Sequence, residues 1–179
     1  RRNISPSAPR WFFDDLLYAL AALQLLNLLA MGLLVSRLGW ADGPAIGTSL
    51  ANLLALRILG GTNACCSVIA PAHELLHRRS RWQRGLGRWL LMTVFHDRFY
   101  VAHRIGHHAR LGGPEDPSTA QMDESYEAFC RRSLAGQWRM AWRHQPRALL
   151  YGLAAELFMA GLYGLAFGGL ALFMWGYIN

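Results

Sequence analysis

Apolar and polar positions divide this chain into long blocks rather than an alternation of single residues. From Leu16 to Ser36 no residue is charged. A hydrocarbon core about 30 Å thick takes about 20 helical residues, so the block predicts a membrane-spanning helix. Gln24 and Asn27 suit such a span, because neutral amides hydrogen-bond between helices. Gly39-Trp-Ala-Asp-Gly-Pro44 then predicts a turn. A second apolar block, 45–72, is interrupted only by Arg57. An arginine at mid-depth costs at least about 2.5 kcal/mol, so it must snorkel, face other helices or lie near an interface.

Further along, the 89–95 block is apolar but too short to span, and predicts a buried or re-entrant segment ended by His96-Asp97-Arg98. The last block, 148–179, has Glu156 as its only charge and is too long for one straight span. Gly168-Gly169 predicts a break in it, with a span over 148–167 and the start of another over 170–179. Gly164 and Gly168, four apart, also suit close helix packing. Between the spans lies a polar region, 73–147. Within it 112–119 predicts a loop. Residues 124–142 predict a surface-lying helix with Phe129, Leu134 and Trp138 towards the membrane or core. The whole pattern predicts an all-α, integral membrane helical bundle.

Composition sharpens this. The 179 residues suit one domain. They are 53% hydrophobic and only 16% charged, against about 25% charged in a soluble domain. That argues against disorder and coiled coil. The net charge is +7, and all 18 basic residues are arginine. Thirteen of them fall between Arg78 and Arg147, so the charge forms one basic membrane face rather than a nucleic-acid surface. By the positive-inside tendency, 73–147 is cytoplasmic, the turn near Gly43 is outside and the N-terminus is inside. This is the layout of a multi-pass inner-membrane protein. Cys65, Cys66 and Cys130 show no metal or redox spacing, and predict reduced thiols packed in a membrane helix or core. No signal peptide is visible. A start at Arg1 and a stop inside an apolar run at Asn179 predict a partial domain over 1–179, a piece of a longer chain.

Five of the seven histidines fall into two groups, His73-Glu-Leu-Leu-His77 and His103-Arg-Ile-Gly-His107-His108. Helical residues four apart share a face. His73 and His77 can chelate one ion, as can His103 and His107. His108 points about 100° away and can reach a second ion. Both groups sit where apolar sequence meets the arginine-rich side. Imidazole suits iron, copper and zinc. Five histidines exceed the three protein ligands of a catalytic zinc, and fit a two-metal site. His96 and His144 lack such partners, although His96 lies two turns before His103.

Together with Pro114-Glu-Asp-Pro-Ser118, Glu124-Ser-Tyr126 and Arg131-Arg-Ser133, these groups resemble the membrane alkane 1-monooxygenases of the fatty acid desaturase/hydroxylase superfamily. The resemblance implies a cytoplasmic site of two histidine-bound iron ions, with His73, His77, His103, His107 and His108 as metal ligands. It implies O2 as oxidant, an alkane or fatty acyl chain reaching the site from membrane lipid, and rubredoxin or ferredoxin as electron donor. Glu74, Glu115 and Asp116 are the candidate catalytic carboxylates, with Glu115 and Asp116 placed to orient histidines by accepting their second N–H. Ala102 stands where the family usually has Glu, and the third histidine box is absent from these 179 residues.

Three other readings stay open on the residues alone. A desaturase of the same superfamily shares the first hydrogen abstraction. A membrane zinc protease would use His73 and His77 as ligands with Glu74 as base, but leaves the second histidine group unused. A metal transporter would place its histidines nearer mid-membrane than these.

Overall fold

An aspartate and a glycine mark where two of the long helices start and stop. The computed structural model describes residues 10–178; Arg1–Pro9 and Asn179, the ends of the expected 1–179 domain, lie outside the described residues. All regular elements among the described residues are helical. After α1 (Arg10–Ser36) the chain turns, and Asp42 accepts a hydrogen bond from the Ala45 N–H at 2.8 Å. That satisfies one free donor at the start of α2 (Gly43–Ala64), with Pro44 in its first turn. A π-helical segment, Cys65–Ile69, joins α2 to α3 (Ala70–Leu76). Then come α4 (Arg81–Met92), α5 (Arg98–Val101), a second π-helical segment (Ala102–His107) and α6 (His108–Arg110). After a loop follow α7 (Tyr126–His144), α8 (Pro146–Phe167) and α9 (Gly169–Ile178). Gly168 separates the last two with φ 89°, a conformation that glycine adopts without steric cost. It is therefore a chain break rather than half of a helix-packing pair.

Three stretches are long and apolar enough to cross a bilayer: Trp11–Ser36, Gly43–Leu76 and Pro146–Phe167. Their outward side chains include Leu26, Leu54, Leu157 and Leu165, all well exposed. So much uncovered apolar surface suits lipid rather than water. The 89–95 block does not span. Residues 90–94 are buried, and the chain leaves α4 through Phe95 at φ 53°.

The chain forms two compact units, where its length alone suggests one domain. In the first, 10–90 with 163–178, α1 packs against α2, α3 and α9. The Ser67 hydroxyl lies 3.2 Å from Gln24 Oε1. Such a bond inside a membrane averages about 0.6 kcal/mol, so it selects register more than it adds stability. Tyr163 donates to the Leu28 carbonyl at 2.9 Å, and the absent side chain of Gly32 makes room for the Phe167 ring. Arg57 lies over the Tyr177 ring at 5.1 Å, so this arginine faces another helix.

The second unit, 91–162, is built round Val101, Ala141 and Leu149, with Tyr100, Ile105 and Leu153 packed against them. The Asp97 N–H donates to buried Glu156 at 3.0 Å, giving that carboxylate a partner it needs inside an apolar helix. Ser125 caps α7 by accepting from the Ala128 N–H. The packed face of α7 carries Ser133, Gln137 and Ala141. Leu134 and Trp138 are exposed and Phe129 half-buried, so of the two expected orientations, towards membrane or core, these side chains do not take the core within this unit. Cys66 and Cys130 are free thiols, the first exposed and the second half-buried.

Candidate metal centre

Each unit carries one histidine group. In the first, Pro71, Ala72, Leu75 and Leu76 form the buried face of α3. The same spacing turns His73, Glu74 and His77 outward. Gly87 lets α4 approach closely, because a Cβ there would sit 3.0 Å from the Ala72 carbonyl. The His73 and His77 rings meet edge to face with centroids 4.7 Å apart. The Glu74 carboxylate is 3.6 Å from His73 Nδ1 and largely exposed. It stands beside the pair without gripping it.

In the second unit the aromatic rings of His96, Phe99, His103 and His107 form a column, with successive centroids 5.4, 4.7 and 5.7 Å apart. His103 Nε2 and His108 Nε2 lie 3.0 Å apart. The spacing of an α-helix pairs His103 with His107 instead, and puts residue 108 about 140° round from residue 103. The difference is the π-helical turn Ala102–His107. Its i→i+5 hydrogen bonding brings residues five apart together. A metal–nitrogen bond of about 2.1 Å places two nitrogens at right angles about 3 Å apart. The His103–His108 pair therefore fits two adjacent positions on one ion.

His107 is held differently. Its Nδ1 lies 2.8 Å from Asp116 Oδ2, and the Asp116 side chain is fully buried. The same carboxylate accepts from the Thr119 hydroxyl at 2.5 Å and the Ser118 N–H at 2.9 Å. Burial opposes its ionisation, but the bonds from Thr119, Ser118 and His107 outweigh burial and hold the carboxyl below the usual carboxylate range. An ionised Asp116 accepts, so the network places the proton on His107 Nδ1 and leaves Nε2 free to bind metal. This is the usual carboxylate–histidine arrangement round a metal.

The other expected residues divide. Glu115 points away from the histidines; it is exposed and accepts from Arg110 Nε at 3.2 Å. His96 is pushed down to about 4 by burial and by the nearby Arg98 charge, so it is neutral at pH 7. His144 is exposed at the end of α7. One residue that spacing did not single out is Arg132. Its Nε and Nη2 grip the two oxygens of Glu124, each at 2.7 Å, and Nη2 also donates to the Thr119 carbonyl at 2.8 Å. Arg132 and Glu124 both belong to the motif runs, but their pairing crosses a loop–helix junction and has no periodic signature. Beside Arg132, the Glu124 carboxyl is held down at about 2.

The fatty acid desaturase family matches residues 48–178, and the chain belongs to that family. It is 31% identical over 112 residues to alkane 1-monooxygenase 1 of Alcanivorax borkumensis, covering 62% of this chain and 26% of that protein. Alkane 1-monooxygenase of Pseudomonas putida is 31% identical over 100 residues, 56% of this chain and 24% of its own. That of Acinetobacter baylyi is 33% identical over 95 residues, 52% of this chain and 23% of its own. The matched region thus spans about a quarter of each relative. With three apolar spans in a chain of this family, the protein is an integral membrane protein that carries two groups of histidines.

Proposed function

We propose that the protein is a membrane oxygenase that hydroxylates the terminal or near-terminal carbon of an alkane or fatty acyl chain. O2 is the oxidant, and rubredoxin or ferredoxin supplies the electrons. His73, His77, His103, His107 and His108 are this chain's ligands to two iron ions, on the cytoplasmic side of the inner membrane. Iron bound there supplies O2 activation and transfer of one oxygen atom to a C–H bond.

The chain's own residues do the rest. His103 and His108 present converging nitrogens. Asp116 holds the His107 tautomer that leaves Nε2 available. Glu74 stands beside His73 to accept or return a proton, and Glu115 steadies the loop through Arg110. The alkyl chain enters from the lipid side, because apolar surroundings are the least costly place for a methyl terminus. The observation that carries this reading is the His107–Asp116 contact, joining a histidine of the second group to the Pro114–Ser118 run through which the chain resembles the alkane hydroxylases.

The test is product analysis on the full-length protein with a reduced donor, O2 and a medium-chain alkane. A terminal alcohol, lost in His73→Ala and His107→Ala, is expected. A new double bond would move the reading to desaturation, and peptide cleavage without either product would replace it.

A further inference from the structure

Arg132 stands apart from the histidines, yet the loop that holds His107 hangs on it. The 113–119 loop is shaped by bonds within itself and to the end of α6. The Gly113 N–H donates to the Arg110 carbonyl at 2.7 Å and the Asp116 N–H to the Gly113 carbonyl at 3.1 Å. Ser118 and Thr119 close on the Asp116 carboxylate. None of these fixes where the loop lies on α7. Two contacts do. Pro117 seats on Gly136, where a Cβ would collide with the proline ring. Arg132 reaches from α7 to the carbonyls of Thr119, at 2.8 Å, and Asp116, at 3.4 Å. Glu124 grips the same guanidinium through both its oxygens and aims the remaining N–H groups at those carbonyls. The Glu124 side chain is only 10% exposed and that of Arg132 26%, so water competes weakly for the pair. A lysine could replace it only in part, having one nitrogen and no fork. The neighbouring Arg131 makes a useful contrast: it is 76% exposed and 3.9 Å from Glu127.

We propose that Arg132, oriented by Glu124, is a positioning residue that sets the metal-binding nitrogen of His107 by fixing the Asp116 loop to α7. The proposal rests on the reading of His107 as an iron ligand. It gives the Glu124-Ser-Tyr126 and Arg131-Arg-Ser133 runs a common purpose, since one residue of each forms the clamp.

The experiment uses the full-length protein loaded with iron, and follows both iron retained per chain and the rate of iron loss to a chelator. Helix content and thermal midpoint are measured beside them. Loss of a residue that orients a metal-binding histidine weakens affinity about 10–100-fold, so Asp116→Asn is expected to speed iron loss by about that factor. Arg132→Gln is expected to do the same and Arg132→Lys to fall between, with helix content unchanged. Arg131→Gln is expected to match the wild type. In Asp116→Asn/Arg132→Gln the loss is expected to be no faster than in the worse single variant, because both act on one nitrogen. Multiplying effects would overturn the proposal and leave Arg132 a general stabiliser. Wild-type iron retention in Arg132→Gln would overturn it too. His107→Ala separates the two levels: if it keeps its iron, the ligand reading falls and the proposal with it. If it loses iron while Arg132→Gln does not, only the proposal falls.

Discussion

His103 Nε2 and His108 Nε2 lie 3.0 Å apart although five residues separate them. On a regular α-helix these side chains diverge; the π-helical turn between them closes the gap. If the two nitrogens serve one ion, His103→Ala and His108→Ala lower iron content equally in the full-length protein, and the double variant loses no more than either. Loss of separate ions, with additive effects, would assign His108 to a second ion as α-helical spacing suggests.

Within the π-helical turn Gly106 packs against Met140. A Cβ at that position would overlap the Met140 thioether. Gly106→Ala is expected to cost no more than the low end of the about 1–3 kcal/mol usual for overpacking, because the flexible end of Met140 can move aside. Met140→Ala placed in the same chain should recover most of the lost iron and thermal stability. Failure of that rescue would mean that glycine serves backbone conformation here, not space.

His96 makes a pH prediction. Burial, with Arg98 beside it, takes its pKa from 6.5 to about 4. The unfolded chain therefore binds this proton more readily than the folded one between those values. Stability from the neutral ring is complete above about pH 6.5 and declines as pH falls towards 4, by up to about 3 kcal/mol. His96→Phe keeps a ring against Phe99 and removes the proton. Thermal melts of metal-free protein should show a shallower pH slope for this variant, and an unchanged slope would refute the burial argument.

Membrane orientation is open to labelling. Single cysteines at Gly43, Ser80 and Gly113, in a chain lacking Cys65, Cys66 and Cys130, meet an impermeant thiol reagent added to intact cells. Arginine asymmetry places only position 43 outside. Labelling at 80 and 113 but not at 43 would invert the protein and move its site to the other face.

Much of this was legible from residue order, for physical reasons. Charge-free runs long enough to span could only be helices, since every backbone polar group in lipid needs an internal partner. Gly168-Gly169 marked the place where the chain breaks between α8 and α9. Both histidine groups were visible because side chains that share a helix face recur at short spacing. The pairing inside the second group was not visible, because a π-helical turn leaves no periodic trace. Nor could adjacent Glu115 and Asp116 be told apart: only the folded loop buries one against His107 and exposes the other to Arg110. Arg132 escaped for a similar reason, since its partners lie up to 16 residues away, on the loop before α7.

Metal analysis of the full-length wild-type protein after gentle detergent purification is the sharpest test of the iron-oxygenase reading. Two iron ions per chain are expected, with less iron in both His73→Ala and His107→Ala. Stoichiometric zinc with no iron would contradict that reading, and would turn attention to His73, Glu74 and His77 as a hydrolytic zinc site.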